Sequence, residues 1–424
     1  MAQIRMPILD HPGRGATRGE PACAGMYLIL VADQRRTPGS QSSLREANRA
    51  RLIDALKRHG GLTQVELAGA TGLSAATVSN IVKELTGTGV LHAAASTRSG
   101  RRAQYVTLAH ALGLVVGVHY STRHMRIALS DVAHTLLAEH HMPLARDHRA
   151  DNELDRATML IADMLDSVDS AMDEVLAVGI AIPAPMKAST GTTARSGIMR
   201  GWDAVPVAEV MARRLNRPVY VDNAANLATL AEARLGAARG KRNALFLEIG
   251  DGIGSGLLLN GAVFRGHNGS AGEFGHITIR EDGPLCRCGN RGCLEAIAGG
   301  PAILESLRPT LGPLKLGDLV IRAMGGDSAC IRAIADAGRH IGVAAANLCN
   351  LLDPERIVVG GDLARSGELL LGPLRHAVER SIIVDVESFP DVVQGQLGNR
   401  AATLGAIVYA MDQVHLGFDE PTVG

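Results

Sequence analysis

The stretch Gly272-Glu273-Phe274-Gly275-His276, followed by Cys286-Arg287-Cys288-Gly289-Asn290-Arg291-Gly292-Cys293-Leu294-Glu295, constrains this chain more than any other. One histidine and three cysteines fall within 18 residues in the pattern His-x9-Cys-x-Cys-x4-Cys. One imidazole and three thiolates suit tetrahedral Zn²⁺, so His276, Cys286, Cys288 and Cys293 are expected to hold a structural zinc. Four protein ligands leave no open position for water, so such an ion fixes a loop and hydrolyses nothing. Gly289 and Gly292 are expected to turn the backbone sharply enough to bring Cys293 back to the ion. The alternative is three reduced cysteines in a loop without metal, a dense cluster to meet by chance in a chain with little use for disulfides.

Two carboxylates, Glu273 and Glu295, each lie a short step from a proposed ligand. A metal that clamps His276 and Cys293 holds both carboxylates on one rigid loop. Paired acceptors held this way suit the hydroxyls of a sugar, and the second ring nitrogen of His276 can donate to the same ligand. The plain alternative is two solvated glutamates.

At 424 residues the chain is too long for one core, so two or three compact units are expected. The longest apolar run near the N-terminus, residues 26–32, is far too short for a membrane span, and Glu20 and Pro21 spoil a secretory signal. Reduced, zinc-type cysteines then point to the cytoplasm and away from the membrane. The formal net charge of zero hides an asymmetry: residues 1–108 carry 14 Lys+Arg against 7 Asp+Glu. A basic excess confined to the N-terminal part points to a polyanionic partner there.

Residues 1–43 are rich in Gly, Pro, Arg and Ser without a sustained period and are expected to be a disordered tail. From residue 44 three helices are predicted: one ending at Gly60-Gly61, one opening with capping-box spacing at Thr63-Gln64-Val65-Glu66, and one capped by Ser74 and running to about residue 86. In the third, Val78, Ile81, Val82 and Leu85 face inward and leave Ala75, Ala76, Thr77, Ser79, Asn80 and Lys83 outside. Small, hydrogen-bonding side chains on an exposed helix face suit the major groove. Residues 91–108 add two strands around Ser96-Thr97-Arg98-Ser99-Gly100-Arg101-Arg102, a basic hairpin able to act as a wing. Residues 44–108 therefore read as a winged helix-turn-helix, with Ala76, Thr77, Ser79, Asn80, Lys83, Arg101 and Arg102 as its DNA-facing residues. An ordinary helical bundle with a solvated loop is the rival reading. Beyond it, strands at 112–118, 125–129, 135–139, 177–182, 218–221, 244–249, 256–259 and 356–359 alternate with helices, including 226–235, 333–352 and 400–414. That is the pattern of an α/β unit in two lobes over residues 109–424.

These landmarks, in this order, resemble the ROK family, named for repressors, open reading frames and sugar kinases. The resemblance runs from about residue 44 to the C-terminus and is most specific over 273–295. It is supported by Pro183-Ala184-Pro185, Gly201-Trp202, Asp222-Asn223-Ala224-Ala225-Asn226, the glycine loop at 250–256 and residues 347–361. It implies an actin-like, ribonuclease-H-like pair of lobes with a sugar in the cleft. It also implies zinc on His276, Cys286, Cys288 and Cys293 within the loop 276–293, and sugar contacts from Asn223, Glu273, His276 and Glu295. The N-terminal head places the chain with the repressor branch.

Three departures separate it from the family's kinases. Where they carry an Asp-x-Gly-Gly-Thr turn that admits phosphate, this chain has His119-Tyr120-Ser121-Thr122-Arg123. The aspartate that accepts the proton of the attacking hydroxyl is replaced by Ala224, and Asp222 points the wrong way along its strand. Asp251 stands in the glycine loop, where a carboxylate repels phosphates. The expectation is a sugar-responsive, DNA-binding repressor of carbohydrate-metabolism genes, without catalytic residues. Its partners are then operator DNA, a sugar or sugar derivative, and a second copy of itself in a homodimer or homotetramer. A ROK-type sugar kinase that has acquired a DNA-binding head and a DNA-bound scaffold that binds no sugar are the alternatives.

Overall fold

The computed structural model describes residues 41–98, 101–145, 148–187, 190–193, 199, 201–383, 389–414 and 416. The expected tail therefore lies almost wholly outside the described residues.

The head opens with α1 (Gln41–His59), inside the stretch assigned to the tail. Residues 44–47 are exposed, so its first turns carry no apolar period by which a sequence could announce them. The short strand β1 (Leu62–Thr63) leads into α2 (Gln64–Thr71). The capping box forms as its spacing predicts: Thr63 Oγ1 accepts from the Glu66 amide at 3.3 Å while the Glu66 carboxylate accepts from the Thr63 amide at 2.8 Å. Gly72 ends α2 in the left-handed conformation, φ 69°, and α3 (Ala75–Gly87) follows with Ser74 accepting from the Thr77 amide at 3.1 Å. Strands β2 (Leu91–Arg98) and β3 (Arg101–Leu108) pair antiparallel, with β1 on the far side of β3. This is a winged helix-turn-helix.

The remainder forms two lobes built to one plan. In the first, β4 (Leu114–Tyr120), β5 (His124–Asp131) and β6 (Leu136–Pro143) pair antiparallel. After α4 (Ala150–Asp166), β7 (Val175–Ile182) and, beyond α5 (Val207–Leu215), β8 (Val219–Asn223) extend the sheet in parallel, giving the order β6-β5-β4-β7-β8. Helix α6 (Ala224–Leu235) leads to the second lobe. There β9 (Ala244–Ile249), β10 (Ile253–Leu259) and β11 (Ala262–Phe264) repeat the antiparallel set. They are followed by α7 (Leu294–Ala298), α8 (Gly300–Leu311), α9 (Leu316–Met324) and α10 (Ser328–Leu352). Strand β12 (Arg356–Gly360), α11 (Glu368–Ser381), β13 (Asp391–Gln394) and α12 (Ala401–Gln413) complete the chain, with sheet order β11-β10-β9-β12-β13. Three antiparallel strands followed by two parallel ones, twice over, is the actin-like, ribonuclease-H-like arrangement.

Alternation along β9 shows how the layers are set. Leu245, Leu247 and Ile249 join the core with α8 to α11, while Ala244 and Phe246 face α6 and α12 with Leu227, Ala228, Ala402 and Ala406. Helices α6 and α12 thus fill the space between the sheets. They fit only because their crossing lacks side chains: a Cβ on Gly405 would overlap the Leu227 carbonyl, and one on Gly179 of β7 the Ala406 carbonyl. The far end of α12 enters the head's core, where Ile407, Ala410 and Met411 share one cluster with Leu52, Leu56 and Val106. Lys57, 6 % exposed, donates its ammonium to the Val414 carbonyl just past α12. Among the described residues no helix is long and apolar enough to cross a membrane.

Gly405→Ala is expected to lower unfolding stability by about 2–3 kcal/mol through overpacking at this crossing. Gly372→Ala in α11, where the added carbon meets only the Glu368 carboxylate at 3.5 Å, is expected to leave stability unchanged or raise it, both read from denaturant midpoints.

Candidate functional site

The two lobes enclose a cavity of about 370 Å³, lined from the first by β4, the turn after it and the start of α6, and from the second by the glycine loop, the 272–276 segment and Glu295. At one end stands the expected metal cluster. The ligating atoms of His276, Cys286, Cys288 and Cys293 all lie within 4.8 Å of one another. Cys288 Sγ is 3.7 Å from Cys293 Sγ, and Cys286 Sγ is 3.6 Å from His276 Nδ1. A tetrahedral ion about 2.3 Å from each sulfur sets its ligands roughly 3.8 Å apart, which the Cys288–Cys293 and Cys286–His276 pairs match. The loop closes as its glycines require. Gly289 and Gly292 adopt φ 89° and 63°, and a Cβ on Gly292 would overlap the Arg280 carbonyl. Burial first, then neighbouring thiols, pushes Cys293 up to about 12, so without a cation this thiol stays protonated.

The cluster carries the expected sugar-facing residues with it. His276 turns Nδ1 to the sulfurs and Nε2 toward Glu273, 3.9 Å from its Oε2. Cys293 is the residue before α7, so Glu295 sits in the first turn of that helix, only 8 % exposed. Arg287, missed by the sequence reading although it stands between two of the cysteines, grips Glu295 with both arms, Nε–Oε1 2.7 Å and Nη2–Oε2 2.9 Å. The Ile253 amide adds a third bond at 3.0 Å. Burial, then the Glu295 charge, raises the Glu273 carboxyl above its usual range. Asn223 reaches the same cavity from the first lobe, where it caps α6: Oδ1 accepts from the Ala225 amide at 2.8 Å and Nδ2 donates to the Ala184 carbonyl at 3.0 Å. That cap explains why α6 starts at residue 224 and not at 226 as expected.

The neighbouring Asp222 lies outside the cavity lining, 5 % exposed and ion-paired with Arg265 Nε at 2.7 Å, whereas Ala224 faces the cavity. Beyond Ala224 the lining is His119, Ser121, Thr122, Arg123, His124, Glu248, Asp251, Asp362 and Asn399. Arg123 and Asp251 meet here across the lobes, Nε–Oδ2 2.5 Å, with Thr122 Oγ1 donating to the same oxygen at 3.2 Å. The sequence reading set Asp251 against phosphate; its pair with Arg123 cancels both charges. Burial depresses His119 to about 3 and, with the Asp362 charge, lifts Glu248 to about 7. Glu248 was also missed; its only signal is a carboxylate in a buried-looking strand two residues before the glycine loop.

In the head, Ala76, Ser79, Asn80 and Lys83 are exposed on one face of α3, as expected. Thr77 is half-buried, its hydroxyl 2.8 Å from that of Ser74, so the helix cap occupies it. Arg101 and Arg102 lie on β3, and their side chains fall outside the described residues.

Twin lobes over a shared cavity, a four-ligand cluster at its edge and a winged head define a two-lobed, actin-like protein with a nucleic-acid-binding type of head. Residues 115–413 match the ROK family and residues 46–102 the MarR family. The chain belongs to the ROK family. It is 26% identical over 403 residues to the xylose repressor of Caldicellulosiruptor bescii, covering 90% of this chain and 99% of that one. A solved ROK family transcriptional regulator, a homologue of the E. coli MLC protein, superposes with TM-score 0.70 at 22% identity, over 87% of this chain and 96% of that one. The ROK family glucokinase from Streptomyces griseus, solved with glucose and AMPPNP, gives TM-score 0.64 at 27% identity, over 70% of this chain and 99% of its own.

Arg287→Ala leaves Glu295 buried with one donor in place of three. A loss of about 1–3 kcal/mol is expected in chemical unfolding, and Arg287→Lys should recover only part of it, since an ammonium cannot span both oxygens.

Proposed function

We propose that this chain is a sugar-responsive transcriptional regulator, a repressor of carbohydrate-metabolism genes, that binds its sugar without phosphorylating it. The carrying observation is Ala224 at the cavity wall with Asp222 turned away to Arg265. The carboxylate that would take a proton from a sugar hydroxyl is absent there, while Asn223, Glu273, His276 and Glu295 still face the cavity. The xylose repressor, alike over nearly its whole length, supports the same reading.

In this reading the exposed face of α3, with Ala76, Ser79, Asn80 and Lys83, enters the major groove, and the β2–β3 wing with Arg101 and Arg102 contacts phosphate. A homodimer or homotetramer in the cytoplasm presents two heads to half-sites about one helical turn apart. Helix α12 joins the parts: Ala401 and Ala402 line the cavity and Met411 lies in the head's core. A sugar that favours one arrangement of the lobes shifts α12 and, through Lys57 and Leu56, the head. A coupling of about 1–3 kcal/mol corresponds to roughly 5–150-fold in operator affinity.

The pure protein mixed with ATP and each common hexose or pentose is expected to form no sugar phosphate, while one sugar stabilises it thermally and changes its operator affinity within that range. Product formation would establish the kinase reading instead, and no stabilisation by any sugar the scaffold reading.

The cluster's ion is zinc in this reading, held by His276, Cys286, Cys288 and Cys293 as a structural clamp. Elemental analysis is expected to find one zinc per chain, lost in Cys288→Ser. That variant should also lose most of its sugar affinity, because His276 and Glu295 no longer share a fixed loop.

A further inference from the structure

Glu295 stands at the metal end of the cleft, but most of its capacity to accept a sugar hydroxyl is already used. Oε2 accepts from Arg287 Nη2 at 2.9 Å and from the Ile253 amide at 3.0 Å, which fills both its lone pairs. Oε1 accepts from Arg287 Nε at 2.7 Å and keeps one lone pair, on a side chain only 8 % exposed. Arg287 is the opposite case. It lines the same cavity with its side chain 42 % exposed, and a guanidinium carries five N–H groups. Holding Glu295 through Nε and Nη2 uses one edge of the plane. Both hydrogens of Nη1 and one of Nη2 are left without a partner among the described residues.

Two further features bear on the same guanidinium. The glycine loop packs directly on the ion pair: a Cβ on Gly252 would lie 2.6 Å from Glu295 Oε2 and 3.1 Å from Arg287 Nη2, so the pair is seated where no side chain could stand. Across the cavity, Asn223 cannot supply an acceptor, because its Oδ1 already takes the Ala225 and Asn226 amides at 2.8 and 3.3 Å. Only the second hydrogen of its Nδ2 remains, the first being given to the Ala184 carbonyl at 3.0 Å. Of the residues expected to meet the sugar, Glu273 is then the carboxylate left to accept from hydroxyls, and the donors of Arg287 outnumber what Glu295 still offers.

We propose that Arg287 is a specificity-determining contact of the effector site: its guanidinium, and not the Glu295 carboxylate, meets the sugar, and the hydroxyl it meets is bound through its oxygen as an acceptor. Glu295 is then a positioning residue that aims Arg287. This rests on the sugar-responsive reading and deepens it. The guanidinium charge is already balanced by Glu295, so the group it takes is a neutral oxygen and not a carboxylate or phosphate, while Glu273 accepts from another hydroxyl of the same sugar.

The test uses the full-length, zinc-loaded protein and calorimetry. Glucose, mannose, galactose, xylose and the 6-phosphates of the three hexoses identify a binder, whose hydroxyls are then replaced one at a time by hydrogen and by fluorine. Fluorine accepts a weak hydrogen bond and donates none, so a hydroxyl that donates to a carboxylate is hurt equally by both replacements. At one position the deoxy analogue is expected to bind about tenfold weaker or worse, while the fluoro analogue stays within about threefold of the parent. Arg287→Met removes the donors and frees Glu295, so there the fluoro analogue is expected to fall to the level of the deoxy one. Arg287→Lys, whose ammonium cannot serve carboxylate and sugar through one planar fork, is expected to move the same way and replaces the first variant should that misfold. Equal losses with fluorine and hydrogen at every position of the unaltered protein, or a fluoro preference unchanged in the variants, overturn the proposal alone. Binding of no sugar in the series overturns the sugar-responsive reading with it.

Discussion

The crossing of α12 over α6 leaves no room for a side chain, and the rest of the molecule is arranged around that contact. Gly405 lies against the Leu227 carbonyl and Gly179 against Ala406, so α12 sits on both α6 and the sheet of the first lobe at backbone distance. A helix held this closely does not bend to absorb a displacement at one end. Close-packed interiors pass small shifts along rigid elements instead of dissipating them. Because α12 begins at the cavity and ends in the core shared by Leu52, Leu56 and Met411, one rigid body touches both the cleft and the head. The buried Lys57 strengthens the junction. Its ammonium is tied to the Val414 carbonyl, while the carbonyl of the same residue accepts from His134 Nε2 at 2.7 Å.

In the proposed reading the cleft differs from a phosphotransferase's in electrostatics as well as in having Ala224 on its wall. A site for a nucleotide needs free backbone amides or cations facing its phosphates. Here the turn after β4 carries Ser121 and Thr122, and its arginine is closed against Asp251. Behind them stand Glu248 and Asp362. Moving Asp222 to the cavity would strand a carboxylate and the Arg265 guanidinium without each other.

Much of this was readable from residue types and spacing. The gathering of His276, Cys286, Cys288 and Cys293, the capping box at Thr63, the Ser74 cap and the inward set Val78, Ile81, Val82 and Leu85 follow from local chemistry and came out where they were placed. What escaped depends on contacts remote in sequence. Helix α11 carries Pro373, which argues against helix locally; it packs on α10, expected over 333–352, whose Gly338 and Gly342 lie against the Leu370 and Leu374 carbonyls, so packing outweighs propensity. Glu248 and Arg287 escaped for a related reason. Each looks like an ordinary polar residue in its own segment and acquires meaning only from Asp362 and Glu295, which other segments bring to it.

The way the cleft is divided between the lobes bears on how it responds. Glu273, His276 and Glu295 belong to the second lobe and are fixed by one loop, whereas Asn223 and His119 belong to the first. A ligand that touches both sets favours the arrangement in which they are close, and it biases the lobes only by that difference in contacts. Among the protein's own bonds across the same gap is the Arg123–Asp251 pair, with side chains 49 % and 29 % exposed. Such a pair is worth about 0–1 kcal/mol. It can guide the lobes into register but is too weak to hold them shut, which leaves the larger part of the closing free energy to the ligand, as a sensor requires and a permanently closed cleft would forbid.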